Sequence, residues 1–175
     1  NATADWMLAD MQADNGGFFS SRDADSEGEE GVYYLWTPEQ AQKLLGDDYT
    51  VFANRFGLDM DTNFEGQWHL TVRAPIANDD DFAAIERSKK ILLTERETRI
   101  APGRDEKQLT SWNALAIRGL AISGRALNRP ELTLAAVRAV DFIRENLIKN
   151  DRLLASYKDA QVRFPAYLDD HAFLL

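Results

Sequence analysis

The sequence predicts a mainly α fold with a small antiparallel β-hairpin element in its N-terminal part. Strand signals nearly vanish after Asn78, where long segments of helical periodicity take over. Before that point, two apolar-aromatic runs, "GFFSS" and "GVYYLW", flank the acidic stretch "RDADSEGEEG" as two strands flank their connection. At 175 residues, 45% hydrophobic and 10% aromatic, the chain has the size and composition of one ordinary domain with a core.

Element by element, "ATADWMLADMQ" reads as a helix that "NGG", Asn15 to Gly17, stops. Asp23 to Gly31 is then expected at the tip of a long hairpin. A helix restarts at "TPEQAQKLLG": Thr37 suits the N-cap, Pro38 the first helical position, Gln40 a capping box and Gly46 the C-cap. A short helix over Tyr49 to Phe56 follows, and "QWHLTV" reads as a further strand. From about Asp80 to Arg99 the pattern predicts an outer amphipathic helix, with Phe82, Ile85, Ile91 and Leu92 inward and Glu86, Lys89, Lys90 and Glu95 outward.

"LTSWNALAIRGLAISGRAL" is apolar almost all round, with Ala114, Ala116, Gly119 and Gly124 between larger residues, and is expected to be buried on most faces. After the turn "NRPE", "LTLAAVRAVDFIRENLIKN" is amphipathic again, turning Arg138, Asp141, Arg144 and Glu145 to water, so the pair reads as an αα-hairpin. The chain runs on through "LLASYKDAQVRFPAY" and starts another apolar helix at "LDDHAFLL". The chain thus divides into a mixed part, about 1–76, and an αα-hairpin part, about 77–175.

Charge narrows the function. Asp23, Asp25, Glu27, Glu29 and Glu30 stand together, and the spacing from Asp23 fits an EF-hand loop through its glycine. Position 12 is Tyr34, however, inside a strand-like run, so an EF-hand does not fit. A net charge of -9 with scattered Lys and Arg argues against a nucleic-acid partner. No window approaches ~18 apolar residues and the N-terminal segment lacks a signal-peptide layout, so no membrane partner is expected. The absence of cysteine removes thiolate chemistry and is compatible with a cytoplasmic location. With no G-x-S-x-G, H-E-x-x-H or phosphate loop, nucleophilic or zinc catalysis does not fit and neither metal nor cofactor is expected, while the mutual repulsion of the clustered carboxylates leaves a looser cation site as an alternative.

"GGFFSSRDADSEGEEGVYYLWT", "RDEKQLTSWNALAIRGLA" and "YLDDHAFLL" resemble, in order, the signature blocks of the YyaL-type proteins, which include the spermatogenesis-associated relatives. The resemblance implies a partial (α/α)6 toroid of the six-hairpin glycosidase and sugar-epimerase kind, residues 1–175 being a middle piece of a longer barrel. A thioredoxin-like domain and the rest of the barrel would lie outside this chain, and inner-helix faces left bare would favour self-association. His171 is a departure, since the family pattern commonly has Tyr there.

In that geometry the inner helices point their N-termini at one cleft, so three polar blocks are expected to converge. The carboxyls Asp25, Asp105 and Asp170 and the imidazole His171 are the catalytic candidates, with Asp23, Lys107, Trp112, Asn113 and Asp169 as carbohydrate-binding candidates. Glycoside cleavage needs two opposed carboxyl groups, and epimerisation a positioned acid–base pair, commonly His. Capping and polar packing are the competing readings for Ser111, Asn113 and Asp169, core packing for Trp112, and a structural or solvent-facing role for His69. The function implied is that of a carbohydrate-processing barrel, epimerase-like or hydrolase-like. The alternative is a non-catalytic glycan- or peptide-binding module that serves the thioredoxin-like domain.

Overall fold

Helix-compatible spacing and capping chemistry produce seven α-helices and eight short strands in the computed structural model, which describes residues 1–175. The chain is therefore mainly α with small antiparallel sheets. Two units form: Asn1–Arg22 with Arg104–Leu175, and Asp23–Gly103. The division expected near residue 76 falls inside the second of these.

In the first unit, α1 (Ala2–Trp6) runs into a π-helical turn, Met7–Met11. The αα-hairpin is formed by α5 (Thr110–Ala126) and α6 (Pro130–Phe142). They meet closely at Gly124, where a Cβ would lie 2.5 Å from Thr133 Oγ1. Met11, Phe18, Leu120, Leu132, Ala135 and Ala139 fill the core between these elements. Contrary to expectation, α5 is not buried on most faces. Trp112, Leu115 and Ile122 are exposed, and Gly119 on the same stripe faces open space. The reason is that α6 and α7 (Leu168–Leu174) cover only part of the helix. On α6, Leu134, Val137 and Val140 are exposed as well.

Strands also continue past Asn78, which the sequence pattern had not suggested. β1 (Ser21–Arg22) pairs with β4 (Arg104–Asp105). The long β7 (Arg152–Lys158) pairs antiparallel with β5 (Gln108–Leu109), β6 (Ile148–Lys149) and β8 (Gln161–Pro165). Its hairpin to β8 turns on Asp159 and Ala160, both at positive φ, 52° and 58°. That is the primed turn that matches strand twist, built without the glycine that usually announces it.

In the second unit, α2 (Pro38–Leu45) starts with the expected capping box: Gln40 N donates to Thr37 Oγ1 at 3.2 Å and Thr37 N to Gln40 Oε1 at 3.1 Å. α3 (Tyr49–Phe56) and α4 (Asp79–Arg96) follow, and Trp36, Leu45, Phe52, Leu58 and Leu92 form the core. The inward stripe of α4 is Ala84, Ile85, Ser88 and Leu92, whereas Phe82 and Ile91 are exposed, against expectation.

The long hairpin is not formed. The acidic stretch makes its own small hairpin from β2 (Asp25–Ser26) and β3 (Glu29–Glu30), turning on Glu27 and Gly28, both at positive φ. "GVYYLW" turns instead of extending because Arg99 Nη1 donates to the carbonyls of Val32, Tyr33 and Leu35 at 3.4, 3.0 and 2.7 Å. Those carbonyls would otherwise serve a neighbouring strand. "GFFSS" and "QWHLTV" are reduced to the ends of isolated bridges, Gln12 with Phe18, Trp36 with Trp68 and Phe64 with Gln67, apart from Ser21 in β1. No helix is long and apolar enough to cross a membrane.

Candidate functional site

The starts of α5 and α7 are tied together by one carboxylate. Ser111 N donates to Asp170 Oδ1 at 2.8 Å, and Tyr167 N donates to Asp170 Oδ2 at 2.8 Å. Asp170 is 2% exposed, so both its oxygens are committed to helix starts whose N–H groups lack helical partners. Trp112, 52% exposed, is the next residue after Ser111, and Asp169 and His171 flank Asp170 in exposed positions. The bond therefore gathers an open indole, a carboxylate and an imidazole, none with a side-chain hydrogen bond to the protein.

Two neighbours have structural roles. Asn113, 1% exposed, accepts from Phe18 N at 2.6 Å and donates to Phe18 O at 3.0 Å and Leu109 O at 2.9 Å, so its amide acts as a peptide group would in a sheet. Thr110 Oγ1 donates to Leu154 O at 2.6 Å, holding the start of α5 to β7.

Asp105 and Lys107 pair with each other in the turn before α5: Nζ reaches Oδ2 at 3.0 Å and Lys107 N donates to Oδ1 at 3.2 Å. Burial pushes the Asp105 carboxyl up, but the Lys107 bonds and charge outweigh it and hold the group below the usual aspartate range. Nearby, Arg22 pairs with Asp10, and Arg104 Nη1 donates to Asp10 O at 2.7 Å while stacking on Phe19 at 4.1 Å. The Arg22 hydrogen bond holds Asp10 low against the opposing effect of burial. Nothing in the spacing of Asp10, Arg22 and Arg104 signals this network.

Asp23 and Asp25 belong to the second unit and are exposed; Asp25 N donates to Asp23 Oδ1 at 3.2 Å. The hairpin is anchored by Ser26 Oγ on Ile100 O at 2.5 Å and Asp23 N on Gly103 O at 2.8 Å. Beside it lies a cavity of about 380 Å³, lined not by Asp23 or Asp25 but by Glu27, Glu29, Tyr33, Leu35 and Arg99 among others. Arg99 stacks on Trp36 at 4.0 Å, and burial lowers the guanidinium's proton affinity, partly offset by Glu95. Three residues beyond Arg96, the last residue of α4, it looks in sequence like any solvated cation. His69 is exposed and tied by its backbone to the Asn63 side chain at 2.8 and 2.9 Å.

Fold and site define a mainly helical protein with small antiparallel sheets, whose polar side chains collect at buried helix starts. No family model matches the chain. It is similar to spermatogenesis-associated protein 20 of Homo sapiens, 25% identical over 206 residues, or 92% of this chain and 26% of that protein. The protein of the same name from Rattus norvegicus is 26% identical over 177 residues, 81% of this chain and 22% of the relative. An uncharacterised protein of Caenorhabditis elegans is 27% identical over 202 residues, 92% of this chain and 28% of the relative. The chain spans about a quarter of the length of these relatives, and the similarity extends over most of its own length.

Proposed function

We propose that the chain is part of an (α/α)6 toroid in a longer protein akin to spermatogenesis-associated protein 20, and that the joined starts of α5 and α7 recognise a carbohydrate. One observation carries the reading: an open indole, Trp112, sits one residue from the Ser111–Asp170 bond, with unpartnered Asp169 and His171 on either side of Asp170. An indole face suits the C–H face of a pyranose, and exposed carboxylate and imidazole groups suit its hydroxyls. Of the two chemistries, epimerisation is the better supported. His171, exposed in the first turn of α7, is the group suited to take and return a proton beside a sugar carbonyl, while Asp169, two residues earlier, points to another side of the helix. Glycoside cleavage needs a protonated carboxyl opposite an ionised one. Asp105, held low by Lys107, suits only the ionised role.

Binding without turnover is a second reading, favoured by Asp170 and Asn113 having their polar atoms engaged by the backbone. Titration with aldoses, ketoses and disaccharides, followed by ¹H NMR for binding and product, separates the two. Epimerisation predicts product formation that His171→Phe abolishes while binding persists, and Trp112→Ala weakens binding roughly tenfold. Binding with no product supports the second reading. No saturable binding of any sugar overturns both.

A further inference from the structure

The cavity beside the acidic hairpin carries a different chemistry. Arg99 presents its face to Trp36 and commits Nη1 to three carbonyls, yet Nε and Nη2 donate to no protein acceptor. A guanidinium edge with two free N–H groups is the fork that receives a carboxylate in bidentate fashion. The same cavity is lined by Glu27 and Glu29, neither of which makes an ion pair or side-chain hydrogen bond. One cavity thus holds unpaired groups of both signs, with Tyr33, Leu35 and Ile100 supplying apolar surface between them. The acidic side is set by backbone geometry: the turn at Glu27 and Gly28, with Ser26 bonded to Ile100 O, fixes where the two glutamates stand.

Such an arrangement complements a ligand that carries a carboxylate, an ammonium and an apolar side chain. We propose that this cavity binds a free α-amino acid with an apolar side chain, its carboxylate on the Arg99 Nε/Nη2 edge and its ammonium on Glu27 and Glu29. The cavity, about 380 Å³, is within the range of small-molecule sites. A simple anion would engage only Arg99 and a simple amine only the glutamates, so the zwitterion makes more charge-assisted contacts than either. The inference is independent of the carbohydrate reading, which concerns the first unit.

The test is a titration of the protein with L-leucine and L-phenylalanine, their N-acetyl derivatives and their amides, read by ¹H–¹⁵N NMR shifts. The expected result is saturable binding of at least one free amino acid, with shifts centred on Tyr33, Leu35 and Arg99. Each blocked form should bind at least about tenfold more weakly, the loss that follows from removing one charge-assisted contact. Arg99→Lys keeps the charge but loses the fork and should weaken binding similarly. Because Arg99 also holds the Val32–Leu35 turn, the exposed pair Glu27→Gln, Glu29→Gln provides a second variant that leaves the core untouched. It should lose the preference for the free amine over the N-acetyl form, while Glu30→Gln, which lies outside the lining, should not. Equal binding of free and blocked forms, or no saturable shift with either amino acid, overturns the proposal.

Discussion

A carboxylate that is 2% exposed must have its oxygens occupied, and at Asp170 the occupants are two backbone amides from different helix starts. Replacing it by Ala leaves both amides without an acceptor, and a loss of about 2–4 kcal/mol is expected in urea unfolding. A change below about 0.5 kcal/mol would mean that water replaces the carboxylate freely. Asp105 gives a prediction in pH. Its folded value lies below the ordinary aspartate value of about 4, so its stabilising contribution is complete above that value and is lost as pH falls through the lower folded one. Lys107→Met removes the side-chain bond and the charge while the backbone N–H of residue 107 and Ser20 still oppose burial, and it should move the Asp105 midpoint upward in a ¹³C NMR titration; an unmoved midpoint would dissociate the shift from the Lys107 side chain. At this scale the sequence was partly informative. The surplus of polar residues in "DEKQLTSWN" and "LDDH" marked helix starts, but which atom met which could not be read. Ser111 and Asp170 are separated by 59 positions, and only the path of the strands between them brings the two together.

Helices were more legible than strands, for reasons visible in two places. The capping box of α2 lies within four consecutive residues and needs no tertiary partner, so the local sequence specifies it. "GVYYLW" has strand composition, yet it turns because Arg99, far along the chain, takes its carbonyls. The β7–β8 hairpin escaped notice because Asp159 and Ala160 adopt left-handed geometry without glycine. Ala160 therefore bears a steric cost of about 1 kcal/mol, which a β-branched side chain raises. Ala160→Val is expected to destabilise by about 1–2 kcal/mol and Ala160→Gly to be neutral or stabilising; matched unfolding midpoints for the two variants would contradict the turn geometry. Between α5 and α6, Gly124→Ala places a methyl against Thr133 and should cost about 1–3 kcal/mol, since packed helices must separate to admit it. An unchanged midpoint would show that the helices part without loss.

At the scale of the molecule, apolar side chains on α5 and α6 remain in water: Leu115 and Ile122 on one, Leu134 and Val137 on the other. Exposed apolar side chains of this number favour association. Concentration-dependent self-association by light scattering is expected, and Leu115→Lys with Ile122→Lys should reduce it. A monodisperse monomer at all concentrations would contradict the expectation. The mainly helical class and the αα-hairpin were readable because periodicity is a local property, whereas the bare stripe of α5 was not, since an all-round apolar helix carries no mark of which side lacks a neighbour. The Ser111–Asp170 bond has a further consequence, in time rather than in space. The Ser111 amide proton exchanges with solvent when its bond to Asp170 opens, so its exchange rate bounds how often α7 lets go of α5. Each detachment also disperses Trp112, Asp169 and His171, which makes that one proton a clock for the lifetime of the surface they form.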